Sequence, residues 1–280
     1  MTAPQTGGAA PVRAVDAYTA AQSAQDAAVG HQTRSFRVWR GVDGTGAFHD
    51  YTTETNDGMV VLDAVHKIQA DQANDLAVRW NCKAGKCGSC SAEINGKPKL
   101  MCMTRLEELP SNEPVTIEPM RAFPHVRDLV TDVSWNFRVK PRIKRFTPRP
   151  PDAPDGTWRI AQEDVDRVQE FRKCIECFLC QDVCHVLRDH HKHEEFIGPR
   201  YLVYAAALEM HPLDVEERTT ALKEDFGIGY CNITKCCTKV CPENITITDN
   251  AIIPLKERVV DQHFDPLRAL VRLVRGPRKS

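Results

Sequence analysis

The sequence predicts an α+β chain of two units, a β-rich one followed by an all-α one, and three observations carry that expectation. Between Arg34 and Glu118, short apolar/polar alternations are separated by turn signals such as Asn95-Gly96, with one helical stripe among them. Next, Pro141, Pro148, Pro150, Pro151 and Pro154 crowd a stretch that regular elements do not tolerate. Beyond it, apolar residues recur at helical spacing over 163–171, 198–210 and 214–223. The expected divisions are a disordered or loosely attached tail (1–30), a first domain (31–127), a Pro-rich connector (128–157) and a second domain (158–280).

The tail is rich in Ala, Gln and Gly and has almost no periodic hydrophobicity; its acidic residues argue against a mitochondrial transit peptide. From Arg34, Phe36 and Val38 alternate with Arg37 and Trp39, and the turn Asp43–Gly46 leads into a second strand over Ala47–Thr53. Asn56-Asp57 suits the cap of a helix with Val61, Leu62, Val65 and Ile68 on one face, and His66 beside that stripe reads as an ordinary histidine. A strand is expected over Leu76–Trp80, and a hairpin over Ser91–Met101 turning at Asn95-Gly96. A strand over Val115–Glu118 then closes a small β-grasp sheet. In the connector, Arg138, Lys140, Arg142, Lys144 and Arg145 read either as a solvated linker or as a face toward an acidic partner.

Length leaves room for two cores, and 37 basic against 38 acidic residues give no reason to expect nucleic acid as a partner. Twelve cysteines without a signal peptide, at metal-ligand spacings, imply a reducing compartment. The longest apolar stretch, around Leu202–Leu208, falls far short of the ~20 residues of a membrane span, so the expectation is a soluble or peripheral protein.

Cysteine spacing says most about chemistry. Cys82-x4-Cys87-x2-Cys90, with Cys102 beyond, is the plant-type spacing for a 2Fe-2S cluster, and Gly85 and Gly88 suit a loop folding its amides toward the sulfurs. Cys174-x2-Cys177-x2-Cys180-x3-Cys184 is the bacterial-type run, in which three thiolates hold one cubane and the fourth crosses to its neighbour. A second run, Cys231-x5-Cys237-x3-Cys241-Pro242, aligns with the first from its last cysteine and places Thr234 in the slot of Cys177. Counting with the crossings, Cys174, Cys177, Cys180 and Cys241 complete a 4Fe-4S cluster. Cys184, Cys231 and Cys237 supply only three thiolates, which suits 3Fe-4S. Structural zinc is the alternative reading of such cysteine pairs. Cys236 is out of register and reads as a buried apolar thiol pointing away from Cys237. The fold expectation thereby sharpens to a β-grasp plant-type ferredoxin domain followed by an α-helical bacterial-type ferredoxin domain.

These motifs, with Leu62-Asp-Ala, Cys87-Gly-Ser-Cys90, Phe196-Ile-Gly-Pro199 and Cys241-Pro-Glu-Asn, resemble the iron–sulfur subunit of succinate dehydrogenase and fumarate reductase over residues 34–260. The resemblance implies a flavoprotein partner that oxidises succinate at covalently bound FAD and a membrane anchor bearing haem b. It implies electron transfer through 2Fe-2S, 4Fe-4S and 3Fe-4S clusters to a quinone at the anchor interface, in the respiratory chain and tricarboxylic acid cycle. The subunit would lie peripherally on the cytoplasmic face of a bacterial inner membrane. The same wiring serves fumarate reduction, and a ferredoxin-like adaptor of another flavoprotein is a further alternative. No dinucleotide motif or acid–base pair marks the chain itself as the site of succinate chemistry.

Two departures stand out. Where many members have Pro and then a Trp pair after the cysteine matching Cys184, this chain has His185 and then His190, His191 and His193; Asn232 replaces the usual His. The quinone site must be built differently, and this points toward the branch with one larger anchor and menaquinone. His185 is the candidate for delivering protons to the quinone, against a solvated polar loop as the simpler reading. Finally, Arg268, Arg272 and Arg275 against Leu267, Leu270, Val271 and Val274 predict a basic amphipathic helix, for a membrane surface or for a partner subunit.

Overall fold

The structure is a computed structural model, and residues 32–266 are described. The expected tail and the basic C-terminal helix lie outside the described residues.

Strand β1 (Gln32–Val42) pairs antiparallel with β2 (Thr45–Thr55) along its whole length, from Gln32 opposite Thr55 to Val42 opposite Thr45. Its other edge runs parallel to β5 (Val115–Glu118), with Phe36 opposite Val115 and Val38 opposite Ile117; all four side chains are fully buried. Beyond β5 come β3 (Ser91–Ile94) and β4 (Lys97–Leu100), a hairpin whose turn residues Asn95 and Gly96 both adopt positive φ, 48° and 70°. Short strands β6 (His125–Arg127) and β7 (Val130–Thr131) finish the sheet order β4-β3-β5-β1-β6-β7. Helix α1 (Val61–Asp71) buries Val61, Leu62, Val65 and Ile68 in the core shared with the sheet. It starts after Asn56-Asp57, because the Asp63 carboxylate accepts the Val60 N–H at 3.2 Å and fixes the first turn there.

Three expectations need correction. Residues 76–80 form no strand: Asp128 Oδ2 accepts the Ala77 N–H at 2.8 Å, so a side chain occupies the donor a ladder would need. The connector is not uniformly irregular. It opens with β7 and α2 (Ser134–Val139), which precede Pro141, and Trp135, Val139 and Ile143 enter the core of the helical unit. Helix α7 (Thr219–Glu224) starts later than residue 214, since Asp214 accepts the N–H of Glu216 at 3.0 Å and pairs with the fully buried Arg218 at 2.8 Å.

Two of the basic connector residues are engaged within the chain. Lys140 binds Glu176 at 2.6 Å, and Arg142 donates to Asp225 O and lies over the Phe226 ring.

The second unit comprises α3 (Gln162–Gln169), α4 (Leu179–Asp182), α5 (His185–Arg188), α6 (Gly198–Glu209), α7, α8 (Cys236–Lys239) and α9 (Ile253–His263). Helix α6 is central: Tyr201, Leu202, Ala205 and Ala206 are fully buried, and the helix packs against the π-helical turn Ile247–Ile252. No described helix is long and apolar enough to cross a membrane.

The two units are joined by a buried charge cluster. Glu93 on β3 and Asp182 on α4 are both fully buried, and Glu93 receives Arg188 at 3.0 Å and Arg121 at 3.2 Å. Asp182 accepts the Ala122 N–H at 2.9 Å. Burial first, then the charge of Asp182, pushes Glu93 up to about 7, and burial pushes Asp182 up to about 6.

Candidate metal centres

The first cysteine set closes around the loop between residues 82 and 90, with Cys102 delivered by the β3–β4 hairpin. Backbone amides converge on its sulfurs. The N–H groups of Ala84 and Lys86 each donate to Cys82 Sγ at 3.3 Å, that of Ser89 to Cys87 at 3.5 Å and that of Cys102 to Cys90 at 3.5 Å. Burial raises the Cys87 thiol, but hydrogen bonding with Cys82 and Ser89 outweighs it and brings the thiol down to about 6. Cys90, deeper, is pushed up to about 12 by burial. Cys82 is exposed and Cys102 is buried.

Gly88 is required by more than its φ of 68°: a Cβ there would come within 2.5 Å of Cys177 Cα. The Ser91 hydroxyl lies 2.9 Å from Gly88 O and 2.8 Å from Cys177 O, so it ties the first cysteine loop to the second. This contact between the units has no local sequence signature.

Cys174, Cys177, Cys180 and Cys241 line one largely enclosed cavity, with Arg200, Pro242, Glu243 and apolar side chains completing the wall. Burial pushes Cys177 up to about 12 and raises Cys180 and Cys241, and the thiols' mutual fields raise Cys177 and Cys180 further. Thiols held this way resist ionising alone; a multivalent cationic group among them replaces the protons and cancels the repulsion. A single zinc ion needs its ligands at ~2.0–2.3 Å. Among the described residues, no group of three His, Cys, Asp or Glu side chains is arranged to hold a single metal ion. The donor set therefore fits a multi-iron cluster better than one ion.

The second run repeats the backbone of the first. Glu176 and Phe178 have φ of 55° and 63°; Ile233 and Lys235, their counterparts in the alignment, have 61° and 62°. Each run is preceded by a 3₁₀ turn and continues into a four-residue helix, α4 or α8. Thr234 thus occupies the slot of Cys177 on the same local frame, exposed, its hydroxyl 3.2 Å from Cys236 Sγ. Cys184 and Cys237 are buried and Cys231 half-buried. Burial raises Cys184 to about 12 and Cys237 to about 11; the charge of Cys236 adds to both and that of Cys231 to Cys237, which places these thiols in one neighbourhood. Cys237 Sγ also meets Thr248 Oγ1 at 3.5 Å.

Cys236 is not the buried apolar thiol expected: it is half-buried, pairs with Thr234 and lines an open groove with Lys97, Lys99 and Lys239. Its counterpart in the first run, Leu179, is fully buried.

His185 is half-buried at the start of α5, its ring 6.0 Å from that of His190. His193 belongs to the packing: its Nε2 lies 2.8 Å from Ala122 O and its ring meets Trp135 edge-on at 4.8 Å. His190 and His191 are exposed.

Arg200, Glu176 and the Glu93–Asp182 pair were not singled out from the sequence. For Arg200 a signal existed, a lone charge at the start of the otherwise apolar segment Gly198–Leu208.

Residues 35–138 match the family described as a 2Fe-2S iron-sulfur cluster binding domain, and residues 170–245 that described as a 4Fe-4S dicluster domain. The chain is 32% identical over 209 residues to the fumarate reductase iron-sulfur subunit of Mycobacterium tuberculosis, covering 73% of this chain and 83% of that one. It is 28% identical over 235 residues to the succinate dehydrogenase iron-sulfur subunit of Paracoccus denitrificans, covering 82% and 89%. It also superposes on a chain of the Mycobacterium smegmatis Sdh1 complex in the apo form with a TM-score of 0.81 at 60% identity, covering 85% of this chain and all of that one. With its two cluster-binding domains in this order and likeness of this extent, the chain belongs to the family of succinate dehydrogenase and fumarate reductase iron–sulfur subunits.

Proposed function

We propose that this chain is the electron-transfer subunit of a succinate dehydrogenase, working between an FAD-bearing flavoprotein and a quinone at a membrane anchor. The observation that carries the reading is the gathering of Cys174, Cys177, Cys180 and Cys241 around one cavity, beside a second run with the same backbone and one thiol fewer. In this reading the sheet unit is a β-grasp plant-type ferredoxin domain whose Cys82, Cys87, Cys90 and Cys102 hold 2Fe-2S. The helical unit is a bacterial-type ferredoxin domain with 4Fe-4S on the cavity cysteines and 3Fe-4S on Cys184, Cys231 and Cys237. When bound, the three clusters supply one-electron carriers of graded potential.

The chain's own residues order them. The exposed Cys82 loop presents the first site at the surface, where a flavoprotein can dock. Gly88 and Ser91 hold the first and second cysteine loops in contact. Exposed Tyr230 and Ile233, on either side of Cys231, give the second run an apolar surface suited to an anchor subunit. In this reading His185, which adjoins Cys184, passes protons to the quinone. The subunit sits peripherally on the cytoplasmic face of the membrane.

The M. tuberculosis relative is named for fumarate reduction, which supports the reverse direction as a second reading. Succinate–quinone and quinol–fumarate assays on the complex purified from its native membrane decide between them. The primary reading expects succinate-driven quinone reduction to dominate. A complex that retains this chain and its iron but reduces no quinone from succinate would overturn it.

A further inference from the structure

The cavity ringed by Cys174, Cys177, Cys180 and Cys241 contains two charged side chains, Glu243 and Arg200. Glu243 is paired outward, to Lys86 of the first cysteine loop at 3.0 Å. Arg200 is 6% exposed and is only partly satisfied. Its Nη2 donates to Glu176 Oε1 at 2.6 Å, and that carboxylate also receives Lys140 Nζ at 2.6 Å. The Tyr201 and Tyr204 rings flank the guanidinium at 5.6 and 5.7 Å. Its Nε–H, in contrast, is buried with no acceptor. Orphaned buried donors on a cation are costly and rare, and on a residue that lines a cavity of thiols such a donor calls for an anionic acceptor.

Arg200 is also locked in place. Helix α6 opens at Gly198, φ 76°, where a Cβ would lie 2.0 Å from Gln181 Oε1, and that oxygen accepts the Arg200 backbone N–H at 3.3 Å. Pro199 follows at the first turn of the helix. On that fixed backbone the side chain lies against the two tyrosine rings and lines the cavity.

We propose that Arg200 sets the reduction potential of the cluster held by these four cysteines, its Nε–H serving as a hydrogen-bond donor to that cluster and its charge favouring the reduced state. The proposal rests on the cysteine assignment given above. Reduction adds one electron and makes the cluster one unit more negative, and a buried cation stabilises that form in a low-dielectric wall. The guanidinium stays charged, since arginine is not deprotonated in proteins and Glu176 pairs with it. Glu176 partly offsets it, leaving the Lys140–Glu176–Arg200 group with a net charge of one positive unit. The device is confined to the first run, since Ile233 takes the place of Glu176 in the second.

The test is an EPR-monitored redox titration of the whole complex carrying Arg200→Gln, Arg200→Lys or Glu176→Gln. Arg200→Gln is expected to lower the 4Fe-4S midpoint potential, Arg200→Lys to lower it less, and Glu176→Gln, which strips the counter-charge, to raise it. The 2Fe-2S and 3Fe-4S midpoints should stay at their wild-type values. A wild-type midpoint in Arg200→Gln, or equal shifts in all three clusters, overturns the proposal. Should Arg200→Gln fail to assemble, Glu176→Gln decides, and no upward shift there overturns it. A wild-type complex with no 4Fe-4S signal at all removes the cysteine assignment and the proposal with it.

Discussion

The two cysteine runs of the helical unit share a backbone and differ in chemistry. Both put left-handed residues at the same two positions before a four-residue helix, so the chain builds one device twice. At the position between them, one has Cys177, buried against Gly88 of the sheet unit, and the other has Thr234, exposed. One carries a carboxylate, Glu176, clamped by Lys140 and Arg200; the other has the apolar Ile233. One ends in Cys184-His185, the other in Cys241-Pro242. The shared frame fixes where sulfur is presented. In the proposed assignment, the substituted positions decide how many irons are held and what charge surrounds them.

The most disruptive way to probe that comparison is to make the first run imitate the second. Cys177→Thr should remove the reduced 4Fe-4S EPR signal and lower succinate–quinone activity by at least ~10-fold, since even an outer-shell partner of a metal ligand typically contributes that much. Electron transfer from succinate to a dye that accepts directly from the flavoprotein should persist. A variant with unchanged quinone reduction would show that the first run is not on the electron path.

A smaller effect is expected where the first run meets the sheet. Glu93 has its folded-state pKa raised from the ordinary 4.5 to about 7, chiefly by burial. The folded chain therefore keeps a proton that the unfolded chain has already lost, and stability from this group is full below pH 4.5 and falls as pH rises toward 7. Comparing the melting temperature of the complex with that of Glu93→Gln from pH 5 to 7.5 isolates this contribution. The wild type should lose stability relative to the variant as pH rises, and parallel curves would contradict the assignment.

The smallest expected effect concerns the residue after each final cysteine. His185→Gln should slow quinone reduction severalfold while leaving the dye assay unchanged, in line with the lower end of general acid–base contributions, ~10²-fold or less. Equal rates in both assays across pH 6 to 8 would make His185 a structural residue.

What was legible in the sequence was local. Alternation marked β1 and β5, Asn95-Gly96 marked the hairpin, and cysteine spacing brought Cys241 to the same cavity as the first run. What was missed depends on partners distant in the chain. Asp128 captures the Ala77 amide and cancels a strand that propensity favours. Trp135 and Val139 draw part of an expected connector into the helical core. Cys236, apolar by type, is turned to a groove by the same frame that buries Leu179 in the first run. Glu93 and Asp182, ordinary acids by composition, meet only because two units close on each other.

The central claim is that the second run holds a three-iron cluster because Thr234 stands on the frame that elsewhere carries Cys177. Low-temperature EPR of the oxidised, anaerobically purified complex tests it most directly, in the wild type and in Thr234→Cys. The wild type should show an oxidised 3Fe-4S resonance that the variant loses in favour of a fourth iron, with a lower potential at that site. Absence of the resonance in the oxidised wild type would contradict the account.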